Sequence, residues 1–178
     1  MNKLALLVVD VQNGLVSEGP YEKDEVISNI KKLQKACRDN SVEVIFVQHD
    51  EKEGGLLEPG KIGWQIYFDI KPEEGEKVFR KRFNSAFRET DLKEYLDSQG
   101  ITQLIITGMQ TEYCIDTTVK VAFEYGYELF IPEKTNTTFD SGNIKAKDLI
   151  ELYNDRIFNW NFAEVVSIEK IIAMINER

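Results

Sequence analysis

Leu4-Ala5-Leu6-Leu7-Val8-Val9-Asp10 decides the fold. Six apolar residues in a row, closed by an acid, read as a strand buried on both faces, since a strand with one wet face would alternate polar and apolar positions. Downstream, Val26, Ile27, Ile30, Leu33 and Cys37 fall at helical spacing between Asp24 and Arg38, and Asp39-Asn40 breaks the pattern. Val42 to Val47 repeats the buried-strand signature, Lys77 to Lys81 is a short third strand, and Leu104 to Thr107 is a fourth that ends at Gly108. Glu128 to Ile131 and Glu164 to Val166 supply a fifth and a sixth. Helices are predicted from about Thr90, its N-cap, to Ser98, over Glu112 to Tyr125, Asn143 to Ile157, and Ile168 to Ile175. Strands that alternate with helices predict one three-layer α/β/α domain over residues 1–178, with a six-stranded parallel sheet of Rossmann-like form. Gln48 to Gly75 stays irregular, and loops of that length in a compact domain usually serve function.

Composition narrows the partners. The 22 basic and 31 acidic residues give a formal net charge of −9, which repels a phosphate backbone, so nucleic acid is not an expected ligand. Cys37, His49 and Cys114 are scattered singly, unlike the closely spaced ligands of a structural zinc site, and a Cys37–Cys114 disulfide is not expected. No metal and no cofactor are predicted. The start of the chain lacks a signal-peptide pattern and no stretch approaches the ~18 apolar residues of a membrane span, which predicts a cytoplasmic protein with reduced thiols and no membrane partner.

In an open parallel sheet ligands bind beyond the carboxyl ends of the strands. There the sequence puts Asp10 after the first strand, Lys81 at the end of the third, and Cys114 after the turn that follows Gly108. A cysteine at a helix N-terminus gains from the positive end of the helix dipole, which lowers its pKa and frees thiolate near neutrality. Asp10 can take the thiol proton or orient its acceptor, and Lys81 can stabilise both anions.

Three ordered blocks carry a resemblance. Leu6-Leu7-Val8-Val9-Asp10-Val11-Gln12-Asn13, Lys81-Arg82-Phe83-Asn84-Ser85-Ala86-Phe87 and Gly108-Met109-Gln110-Thr111-Glu112-Tyr113-Cys114-Ile115 are similar, in order and spacing over roughly residues 4–140, to blocks of the isochorismatase-like cysteine hydrolases. That superfamily includes nicotinamidases, N-carbamoylsarcosine amidases and isochorismatases. The resemblance implies Cys114 as nucleophile, Asp10 as general base and later acid, and Lys81 as the third member of a triad. It also implies a cis peptide between Met109 and Gln110, with the backbone N–H groups of Gln110 and Cys114 forming an oxyanion hole. Metal-binding nicotinamidases carry an Asp and two His after the second strand; this chain offers only His49 and Asp50 there. Isochorismatases act on a vinyl ether and need no cysteine, so Cys114 favours an amide or related carbonyl substrate, and some relatives with this nucleophile turn hydrolyse cyclic amides.

Gln12 and Thr111 belong to the blocks and are expected to bind substrate, with His49 as a contact or a structural residue at the end of the second strand. Relatives place the long loop beside the nucleophile, which makes Trp64 a pocket wall and Phe87 and Tyr113 further walls. The Thr135 to Asp140 run leaves the fifth strand on the same edge and is a further candidate for touching substrate. Phe158, Trp160 and Phe162 have a core reading and an interface reading; homo-oligomers are usual in the resembled family, so at least a dimer is expected. The sequence therefore predicts a cofactor-free hydrolase of a small molecule. The alternatives are a vinyl-ether hydrolase and a catalytically idle binding or scaffold domain of the same fold. A flavodoxin-like module is disfavoured, because Val11-Gln12-Asn13-Gly14 is a poor phosphate loop.

Overall fold

In the computed structural model, which describes residues 3–177, the opening apolar run lies at the centre of the sheet. Strands β1 (Lys3–Val9), β2 (Glu43–His49), β3 (Lys77–Lys81), β4 (Ile101–Met109), β5 (Glu128–Pro132), β6 (Asn136–Thr137) and β7 (Glu164–Val166) form one sheet in the order β3-β2-β1-β4-β5-β7, with β6 beside β4. Every pairing between these strands is parallel. Seven strands replace the expected six. The addition is β6, whose two polar residues show no periodicity to read.

Helices cover both faces, which is why β1 is apolar throughout. Ala5, Leu7 and Val9 pack with Leu92 and Leu96 of α3 (Leu92–Ser98) and with Val119 and Ala122 of α4 (Asp116–Glu124). Leu4, Leu6 and Val8 face the other way, onto Ile27, Ile30, Leu33 and Cys37 of α2 (Lys23–Asp39) and Ile171 and Ile175 of α6 (Ile168–Asn176). Cys37 is thus a core residue.

Two helical expectations are corrected. Asp91, not Thr90, precedes α3; the Thr90 hydroxyl donates to the Ala86 carbonyl at 2.6 Å and accepts from the Leu92 N–H at 3.4 Å. The α-helix expected over Asn143 to Ile157 is a short α5 (Ala146–Glu151) running into the wide helical turn Leu152–Phe158. A short helix, Asn13–Ser17, also follows β1. Among the described residues no helix is long and apolar enough to cross a membrane.

One glycine fixes how closely the central strands meet at the functional edge. Gly108 pairs with Val9 and has φ +122, and a Cβ there would lie 2.0 Å from the Val9 carbonyl oxygen. Gly108→Ala is accordingly expected to cost at least about 3 kcal/mol, because backbone rather than a movable side chain blocks it, and urea denaturation would measure the loss.

Candidate active site

The order β3-β2-β1-β4 brings four strand ends side by side. Asp10 follows β1 in a left-handed conformation, φ +53, an uncommon choice for a non-glycine residue. His49 ends β2 and Lys81 ends β3, and the two are register partners, so their side chains share a face. Beyond β4 the Met109–Gln110 peptide is cis, and the chain then winds through the wide turn Thr111–Ile115, which carries Cys114, into α4.

Lys81 is the hub. Its Nζ lies 2.6 Å from Asp10 Oδ2, 3.0 Å from His49 Nδ1, 3.0 Å from the Phe83 carbonyl oxygen and 3.1 Å from Cys114 Sγ. The contact with Asp10 is an ion pair by distance without the angles of a directed hydrogen bond, so the carboxylate keeps accepting capacity. Asp10 is 1% exposed, Lys81 2% and Cys114 9%. Ligand atoms of Asp10, His49 and Cys114 lie within 4.8 Å of one another, a donor set that could hold a metal ion. Lys81 already stands among them with a positive charge, and a metal would have to displace that ammonium.

Burial corrects the expectation of a thiolate prepared by a helix N-terminus. It pushes the Cys114 thiol up to about 12, the charge of Asp10 adds to the push, and Lys81 opposes it. Cys114 does lie near the start of the helical run, in the wide turn that continues directly into α4. Burial raises the Asp10 carboxyl above its ordinary range too, against the pull of Lys81 and of the neighbouring Cys114 thiol. The resting pair is a thiol beside a carboxylate made more basic by its surroundings.

The expected substrate contacts divide. Gln12 is buried, and its amide is spent on backbone: Nε2 donates to the carbonyls of His49 (3.0 Å) and Trp64 (2.7 Å), and Oε1 accepts from the His49 N–H (2.9 Å). It clamps the long loop to the end of β2. Thr111 is likewise buried and donates to Asn136 Oδ1 at 2.8 Å, and Phe87 packs in the core against the rings of Tyr125 and Tyr127. The Thr135 to Asp140 run turns inward, with Thr135, Asn136, Thr137 and Thr138 all buried. Trp64 is half-buried and pinned: its indole N–H donates to Asp50 at 2.8 Å, and the Arg80 guanidinium lies over its ring. Tyr113, beside the nucleophile in sequence, is exposed.

Asn84 was not anticipated. Its Oδ1 is 3.9 Å from Cys114 Sγ and its side chain is exposed, so it marks the open side of the sulfur. Only its place in the Lys81 to Phe87 block could have suggested it. Gln12→Met is expected to destabilise the fold by about 2 kcal/mol, because the His49 carbonyl and N–H lose the Gln12 amide while the Trp64 carbonyl keeps the Gln48 amide, with faster hydrogen exchange at the His49 amide as the local readout.

Residues 4–170 match the isochorismatase domain. A streptothricin hydrolase of Streptomyces noursei is 33% identical over 138 residues, covering 76% of this chain and 50% of that protein; the chain thus spans about half the length of that relative. The uncharacterised isochorismatase family protein YrdC of Bacillus subtilis is 28% identical, with 96% and 95% of the two chains covered. Among solved structures, a putative isochorismatase hydrolase from Oleispira antarctica is 29% identical with a TM-score of 0.89, covering 97% of each chain.

Proposed function

The chain belongs to the isochorismatase family, and on that premise we propose that it is a cysteine hydrolase that cleaves a small amide or related carbonyl compound through a thioester on Cys114. One observation carries the reading: a single buried ammonium, Lys81 Nζ, lies at once 2.6 Å from Asp10 and 3.1 Å from Cys114 Sγ.

In the first half-reaction the Cys114 proton passes to Asp10 as sulfur attacks the carbonyl carbon, so a free thiolate need not accumulate. Lys81 pairs with the Asp10 carboxylate before the proton moves and after it has gone to the leaving nitrogen, and in between it steadies the charge that builds on sulfur. The carbonyl electron pair moves onto oxygen, where the N–H groups of Gln110 and Cys114 receive it. Collapse breaks the C–N bond, and the leaving nitrogen takes the proton from Asp10, leaving a thioester. Water then gives a proton to Asp10 and attacks the thioester, and sulfur leaves and regains that proton as the acid departs. We assign Asn84, 3.9 Å from the Cys114 sulfur, the exposed Tyr113 beside that cysteine in sequence and Trp64, bonded to Asp50 next to His49, to selecting the substrate. The chemistry needs a reduced thiol, in keeping with a cytoplasmic setting. Self-association is part of the same reading, with Trp160 (86% exposed) and Phe123 (44% exposed) as the surface to test by sedimentation.

The experiment is a screen of small amides, streptothricin among them, with acid quenching and mass spectrometry of the intact protein. An acyl adduct on Cys114 that turns over is the expected result. Turnover with no adduct, and undiminished in Cys114→Ala, would point instead to chemistry without the cysteine.

A further inference from the structure

His49 sits closer to the triad than a passive neighbour needs to. It is the register partner of Lys81, its Nδ1 is 3.0 Å from Lys81 Nζ, and it is 4.0 Å from Asp10 Oδ2. Its backbone is fixed independently, since both its N–H and its carbonyl are held by the Gln12 side chain. An ammonium has only protons to offer, so a ring nitrogen 3.0 Å away must present a lone pair. We propose that His49 is a positioning residue, a neutral imidazole kept as the Nε2–H tautomer, whose Nδ1 accepts from Lys81 and holds that ammonium against Asp10 and Cys114.

The arrangement divides the ammonium's protons sensibly. Three N–H bonds face four neighbours: the Asp10 carboxylate, the His49 nitrogen, the Phe83 carbonyl and the Cys114 sulfur. His49 and Phe83 are fixed acceptors that anchor the nitrogen, while Asp10 and Cys114 exchange charge during the reaction. Without the anchor on the β2 side, Lys81 is free to follow Asp10 alone and leave the sulfur unsupported. Protonating His49 would turn Nδ1 into a donor aimed at the ammonium, which is repulsive. Burial lowers the His49 pKa first, Lys81 lowers it further, and the Asp10, Glu51 and Asp50 carboxylates only partly oppose this. The ring therefore stays neutral into mildly acidic solution.

This inference rests on the cysteine-hydrolase reading for its catalytic consequence, but not for its structural test. His49 is the only histidine of the chain, so long-range ¹H–¹⁵N correlation on tag-free protein reports one imidazole without assignment. The expected spectrum is that of the Nε2–H tautomer titrating below the ordinary range, moving toward that range in Lys81→Met. An Nδ1–H tautomer, or a histidine indifferent to Lys81→Met, would overturn the proposal. The second measurement is acylation of Cys114 by p-nitrophenyl acetate, which forms an acetyl thioester and releases nitrophenolate. His49→Phe should slow it at least tenfold, and His49→Asn, which keeps an acceptor, should slow it less. A rate for His49→Phe within twofold of wild type would also overturn the proposal. Nitrophenolate release that survives Cys114→Ala would count against the hydrolase reading alone, and the tautomer would still decide this one.

Discussion

Lys81→Met is expected to lower hydrolysis by about 1,000-fold or more and to remove about 3–5 kcal/mol of stability at neutral pH. Both effects come from Asp10. The pair is buried almost completely, with side chains 0% and 2% exposed, and the 2.6 Å ammonium is the counter-charge of that carboxylate. With methionine in its place, Asp10 must stay charged in an apolar setting or take up a proton. Its carboxyl is raised by burial even in the intact site, and Lys81 is the strongest influence in the opposite direction. A carboxyl whose folded pKa exceeds its unfolded value of 3.8 stabilises the fold below that value and loses the contribution as pH rises through the folded pKa. The deficit of Lys81→Met against wild type should therefore narrow on acidification toward pH 4 and be widest at neutrality. Asp10→Leu combined with Lys81→Met should recover most of the stability, since an apolar pair can replace a buried ion pair at little cost, and recover none of the activity. Urea denaturation at the two pH values checks this, and an equal deficit at both would mean that the pair is not the source.

How far the site was legible follows from which interactions are local. The continuous apolar run Leu4 to Val9 signals a strand covered on both faces, and the cores on either side of β1 bear that out. Asp10, Lys81 and Cys114 are legible because each closes or follows a strand and the three blocks come in order. β6 is not legible, because Asn136 and Thr137 are polar and buried by tertiary contacts alone. Gln12 illustrates the same limit: in sequence it is a polar residue inside the block that holds Asp10, and only the folded loop brings the Trp64 carbonyl and the His49 backbone to its amide. The state of the Cys114 thiol is hidden for a related reason. Position near a helix start is local and readable, whereas burial, which raises the Cys114 thiol and is its largest influence ahead of Asp10 and Lys81, depends on the whole fold.

That difference gives Cys114→Ala and the pH behaviour of Cys114 their force. The alanine variant should lose at least about 10,000-fold in hydrolysis, since removing a nucleophile leaves only binding and oxyanion stabilisation, and it should release no nitrophenolate burst. Its fold should persist, because Lys81 keeps Asp10, His49 and the Phe83 carbonyl as partners. Two kinds of attack by the wild-type sulfur then separate. Alkylation by iodoacetamide depends on thiolate, and with the thiol pushed up to about 12 its rate at Cys114 should keep climbing above pH 9. Hydrolysis instead moves the proton to Asp10 during attack, so its rate should follow the ionisation of that carboxyl and not that of the thiol. Cys37 supplies the internal reference, being fully buried and also pushed up to about 12, by burial first and by Glu76 against Arg38, while packed in the core away from the triad. If alkylation of Cys114 had already reached its plateau near neutrality, the resting group would be a thiolate held by Lys81, and Asp10 would act only on the leaving nitrogen and the water. If alkylation and hydrolysis rose together to high pH, Asp10 would not be the base at all.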